Sequence, residues 1–113
     1  HIILAGYLRL IPNKIIKEFP NKILNIHPAL LPKFGGKGYY GDYVHKSVID
    51  SKEKKSGITI HLVNEKYDDG RILFQKSIAV MSDDDVASLS SRIHQLEYKY
   101  YPQIIEKYLL NQL

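Results

Sequence analysis

Cysteine is absent from the 113 residues, which excludes a disulfide framework and any thiolate metal site and makes a reducing cytoplasm the default setting. Long apolar runs are absent too. No stretch reaches the roughly 18 residues that span a bilayer, and nothing has the build of a secretory leader, so a soluble protein without a membrane partner is expected. Charge of one sign is nowhere concentrated. The net charge of +4 is spread along the chain, and Ser51-Lys52-Glu53-Lys54-Lys55 mixes acid with base as a solvated face does. With lysines dispersed and no aromatic stacking motif beside them, no nucleic-acid partner is expected, although a mild positive balance can still draw in an anionic small molecule.

An initiating methionine is also lacking. The chain opens directly on His1-Ile2-Ile3-Leu4-Ala5, a continuous apolar run of the kind found in strands buried on both faces, and the expectation is a piece of a longer protein. What is present suits one domain with a core: the hydrophobic content is 44%, ordinary for a globular chain.

After the first run, Pro12 suits a first helical turn, and Ile15, Ile16 and Phe19 give the apolar edge of a short helix that must stop before Pro20. Residues 22–26 read as a strand. Its period of two sends Ile23, Asn25 and His27 to one side and Leu24 and Ile26 to the other, so Asn25 and His27 are neighbours. Pro28 and Pro32 lack a backbone N–H and cannot extend a central strand, which places the pair at a strand's carboxyl end. Residues 33–38 are glycine-rich and read as a mobile loop, with neither a Walker pattern nor a dinucleotide fingerprint. Tyr40, Tyr43, Val44 and Val48 recur at helical spacing, giving a helix to about Asp50.

The alternation from Ile58 to Val63 is a strand with both faces occupied, and 64–70 carries turn chemistry. Residues 72–80 are again extended. Ser82 or Asp83 is expected to cap a last helix, with Asp83-Asp84-Asp85 in its first turn. On it Val86, Leu89, Ile93, Leu96, Tyr100 and Ile104 form one apolar stripe. Pro102 is expected to kink or divide that helix. Glu97 falls inside the stripe, and two readings are open: a carboxylate snorkelling at the edge, or one facing a polar pocket. Strands alternating with helices predict an α/β fold with a largely parallel sheet flanked by helices, and ligands in that class collect beyond the carboxyl ends of the strands.

The residues at that end permit a definite chemistry. His27 can act as acid or base near neutrality, Asn25 offers an amide to a developing oxyanion, and Asp68 or Asp69 can orient the imidazole. Such a set serves acyl transfer or hydrolysis with an external nucleophile, since no cysteine exists and no serine occupies a nucleophile elbow. On these residues alone the plainer reading stands ahead of it: Asn-x-His can cap a turn, and Asp68-Asp69-Gly70 can be one. His45, His61 and His94 have no spacing that makes a metal site with His27 and read as surface or packing residues.

Asn25-Ile26-His27-Pro28-Ala29-Leu30-Leu31-Pro32, followed by Tyr67-Asp68-Asp69-Gly70 and then by Gln95-Leu96-Glu97 and Tyr101-Pro102, resembles the folate-dependent formyltransferases over essentially the whole chain. The proline after His27 narrows the resemblance to the branch that formylates glycinamide ribonucleotide in purine biosynthesis. A deformylase, another amine formyltransferase and a non-catalytic fragment are the alternatives.

The resemblance implies a Rossmann-like formyltransferase fold, with residues 1–113 the carboxyl-terminal portion of one catalytic domain. It implies 10-formyltetrahydrofolate as formyl donor, no metal, and His27, Asn25 and Asp68 as the catalytic trio, with Asp68 raising the His27 pKa. Leu8, Arg9, Leu10 and Ile11, with Asn25 and Asn64, Glu65, Lys66, Tyr67 and Asp68, would meet the folate. His94, Gln95, Leu96 and Glu97 would meet the ribonucleotide. Tyr98 stands where the family often has histidine. The family's glycine-serine-rich phosphate loop has no counterpart in this sequence, so an inactive fragment is expected, self-associating through an exposed sheet edge.

Overall fold

Branched apolar residues on alternating positions pull four short strands into one sheet in the computed structural model, which describes residues 1–5 and 9–113. The elements are β1 (Ile2–Ile3), α1 (Asn13–Glu18), β2 (Ile23–His27), α2 (Asp42–Asp50), β3 (Lys55–Leu62), β4 (Ile72–Ala79) and α3 (Val86–Leu109). Among the described residues the strand order is β1-β2-β3-β4.

The α/β class stands, but only part of the sheet runs as expected. β1 and β2 are parallel, whereas β2–β3 and β3–β4 are antiparallel. The β3–β4 case follows from the connection, since the loop between Leu62 and Ile72 is too short for the crossover of a dozen or more residues that a parallel pair needs.

Register decides which side chains meet. Asn25 lies opposite His61 and His27 opposite Thr59 across β2 and β3, so these four share a face. Ile26, Ile58 and Ile60 occupy the other face and pack against Leu89, Ile93, Tyr101 and Ile104 of α3 and Val48 of α2. Each such side chain, fully buried, is worth roughly 1.5–3 kcal/mol. Nearly every residue of β3 is buried, as its double-faced pattern predicts. β4 is mostly exposed or half-buried and is the sheet edge.

Two expectations about α3 need correction. The helix is capped by Asp85, whose side chain accepts the Ser88 N–H while the Ser88 hydroxyl accepts the Asp85 N–H. Neither Ser82 nor Asp83 caps it, because only Asp85 has a reciprocating hydroxyl three residues on; Asp83 and Asp84 therefore precede the helix. Nor is the helix divided at Pro102. Pro102 and Tyr98 are both exposed, so the Tyr98 carbonyl freed by the missing N–H meets water, while Tyr101 and Ile104 beside it stay locked in the core.

Among the described residues no helix is long and apolar enough to cross a membrane. The Tyr101 hydroxyl donates to the Leu4 carbonyl at 2.6 Å, tying α3 to the end of β1. Burial pushes that phenol far above its usual range, with the Glu97 charge adding to it.

Candidate active site

β2 ends at His27 because Pro28 cannot continue the ladder, and the chain then turns through residues 28–32, where the Leu31–Pro32 peptide is cis. His27 is only 4% exposed. Its Nε2 lies 2.6 Å from the Phe34 carbonyl, an acceptor only, so Nε2 carries a proton and donates it there. Its Nδ1 stands 3.5 Å from Asp68 Oδ2. In the neutral ring this leaves the Nδ1 lone pair directed toward the carboxylate.

Asp68 is supplied by the β3–β4 loop in a left-handed backbone conformation, φ 52°, that turns its carboxylate into the site. Oδ2 accepts the Gly36 N–H at 3.0 Å. Oδ1 lies 3.7 Å from His61 Nε2, a buried nitrogen with no hydrogen-bond partner among the described residues, while His61 Nδ1 is 3.0 Å from the Leu62 carbonyl. One carboxylate thus sits between two imidazoles.

Burial alone would raise the Asp68 carboxyl, but the His61 ring, the His27 charge and the Gly36 N–H together hold it below the ordinary carboxylate range. For His27 the direction is the reverse of the sequence expectation. Burial lowers its pKa, and the opposing pull of Asp68 and of the Phe34 carbonyl does not overcome this; a group with two acceptors still pays heavily for leaving water as an ion.

Around the pair lies an open cavity of about 210 Å³, several times the roughly 30 Å³ share of one water. Its wall includes Asn25, His27 and Asp68. The Asn25 Oδ1 is buried and has no hydrogen-bond partner among the described residues.

Of the residues assigned to folate, Arg9, Leu10, Ile11, Asn64, Lys66 and Tyr67 line this cavity and Glu65 does not. Glu65 is exposed at the tip of its turn. Leu8 lies outside the described residues. Of those assigned to the ribonucleotide, His94 and Glu97 line the cavity and Gln95 and Leu96 do not. Helical spacing explains the division, since positions three apart share a face and the two between them turn away; Leu96 packs on the core instead. Glu97 accepts from His94 Nδ1 at 2.8 Å. That pairing on the cavity wall resolves the two readings of Glu97 in favour of a polar pocket, and burial raises its pKa, partly offset by His94.

Two histidines read as surface or packing groups belong to the site. His61 and His45 are each 2% exposed and both line the cavity. Burial lowers the His45 pKa, and its Nδ1 has no hydrogen-bond partner among the described residues. The alternation in β3 put His61 on the Thr59 face, but only the strand register brings that face opposite Asn25 and His27.

An α/β domain whose cavity at a strand's end gathers a histidine, a carboxylate and an amide holds the groups that acid–base group transfer requires. Comparison with known proteins narrows this. Residues 1–105 match the formyl transferase family, and the chain belongs to that family. It is 52% identical over 104 residues to the chloroplastic phosphoribosylglycinamide formyltransferase of Arabidopsis thaliana, covering 92% of this chain and 36% of that protein. It is 42% identical over 108 residues to the phosphoribosylglycinamide formyltransferase of Bacillus subtilis, covering 96% of this chain and 53% of that one. Among solved structures, the phosphoribosylglycinamide formyltransferase of Bacillus halodurans superposes with a TM-score of 0.86 at 33% identity, over 95% of this chain and 53% of the other. The chain therefore spans between about a third and about half of the length of these relatives.

Proposed function

We propose that this chain carries the reaction centre of a phosphoribosylglycinamide formyltransferase, which moves the formyl group of 10-formyltetrahydrofolate to the amine of glycinamide ribonucleotide. The observation that carries the reading is the convergence of His27, Asn25 and Asp68 with Glu97 of α3 on one cavity. The names of the relatives support the choice of acceptor.

The geometry suits a proton shuttle. Neutral His27 keeps its proton on Nε2, toward Phe34, and offers Nδ1 as base. The substrate amine attacks the formyl carbon and gives a proton to the Asp68–His27 pair, the carboxylate passing it to Nδ1, which it faces at 3.5 Å. The imidazolium so formed is stabilised by Asp68, and the tetrahedral oxyanion by the Asn25 amide. Collapse breaks the bond from carbon to the folate nitrogen, which takes the proton back from the Asp68–His27 pair as it leaves. The lowered His27 pKa fits a group that must first accept the proton. Proton transfer of this kind is worth roughly 10²–10⁴-fold, and holding the two substrates together supplies much of the remainder. Arg9, Leu10, Ile11 and the loop from Asn64 form the folate wall, and His94 and Glu97 face the acceptor.

The test is formyl transfer from 10-formyltetrahydrofolate, assayed with glycinamide ribonucleotide, with other amines and with water as acceptors. It is run on the chain alone and on the chain joined to the segment of the Bacillus subtilis relative that lies outside the match. Preference for glycinamide ribonucleotide in the joined protein is the expected result. A preference for water or another amine would assign the site to a different reaction of the family.

A further inference from the structure

Thr59 lies opposite His27 on β3 and opposite Gln75 on β4, so the three form a row across the sheet. Thr59 is fully buried. Its hydroxyl donates to the Ala29 carbonyl at 2.7 Å, accepts the Leu31 N–H at 3.0 Å and accepts Gln75 Nε2 at 2.9 Å. One donor and two lone pairs are thereby all used, the full capacity of a hydroxyl. Gln75 Nε2 also reaches the Leu31 carbonyl at 3.0 Å. Two side chains thus satisfy three backbone groups of the turn that leaves His27, at Ala29 and Leu31, both buried, where an unpartnered polar group is costly.

This turn separates the two ends of one bond. His27 stands before it and Phe34, whose carbonyl takes the His27 Nε2 proton, stands after it. We propose that Thr59 and Gln75 are positioning residues: by clamping residues 29–31 they hold the Phe34 carbonyl against His27 and so fix the ring tautomer that leaves Nδ1 facing Asp68. Neither touches the cavity, and both act through the turn. The functional weight of the clamp rests on the reading of His27 as the proton shuttle, but the clamp itself is read by a measurement that needs no turnover.

The experiment is nitrogen NMR of the chain with labelled histidine, at neutral pH, on wild type, Thr59→Val, Thr59→Ser and Gln75→Leu. Wild type should show His27 as a single Nε2–H tautomer with a slowly exchanging proton. Thr59→Val keeps the shape but loses the hydroxyl; mixed tautomers and exchange faster by roughly tenfold are expected, about what losing one hydrogen bond's net contribution allows. Thr59→Ser should restore the wild-type signature. A merely structural threonine would alter the unfolding midpoint without changing the His27 tautomer. Gln75 is exposed on the edge strand, so Gln75→Leu provides a variant that folds even where Thr59→Val does not. A pure Nε2–H tautomer with wild-type exchange in Gln75→Leu, or in folded Thr59→Val, would overturn the proposal.

Discussion

Gly36 donates its backbone N–H to Asp68 Oδ2 at 3.0 Å, the same oxygen that faces His27 Nδ1. The glycine-rich loop is therefore fastened to both members of the pair, through Gly36 to the aspartate and through Phe34 to the histidine. Gly35, between the two anchors, threads a narrow space. A Cβ there would lie 2.3 Å from Leu31 Cδ2 and 3.3 Å from Asp68 Cβ. Gly35→Ala should destabilise the chain by about 1–3 kcal/mol, the usual cost of overpacking, and displace Asp68 from Gly36. Urea unfolding gives the first effect, and loss of protection of the Gly36 amide from hydrogen exchange gives the second.

The capping box of α3 predicts a separable effect far from the cavity. Asp85→Ala removes the acceptor for the Ser88 N–H and should cost about 1 kcal/mol. The denaturation midpoint should fall while the slope of the transition stays fixed. An unchanged midpoint would mean that the packing of Leu89 and Ile93 holds the helix start without its cap.

Buried neutral histidines make the fold sensitive to acid. His27 and His45 both have pKa values lowered by burial from the reference value of 6.5, so the unfolded chain binds their protons more readily than the native one. Stability is then full above about pH 6.5 and declines as pH falls from there through the two lowered values. His45→Gln cannot take up the proton. Its unfolding free energy should decline less between about pH 7.5 and about pH 5.5 than that of wild type; an equal decline would remove His45 from the account.

Local pattern carried much of this structure. Two prolines after an apolar strand placed Asn25 and His27 side by side at a strand end, and helical spacing put Glu97 on the face it occupies. The larger misreadings concern contacts between elements. Helices between strands predicted a mostly parallel sheet, yet β3 and β4 run antiparallel to their neighbours. Thr59, His61 and Gln75 look like ordinary strand residues until register sets them against His27, Asn25 and one another. The His27 pKa was misjudged for a related reason: the charge of Asp68 can be read from the sequence, but the depth of burial that outweighs it cannot. His45 fell on a correctly predicted helix, and nothing in its spacing marks the cavity it faces.

His27 is the group on which the functional account depends, and its removal is the most direct test. Formyl transfer from 10-formyltetrahydrofolate to glycinamide ribonucleotide should be measured in the joined protein with His27 and with His27→Ala, at saturating substrates and with folate binding followed in parallel. The account predicts turnover reduced by roughly 10²–10⁴-fold with folate still bound. Turnover within a few-fold of the parent would contradict it.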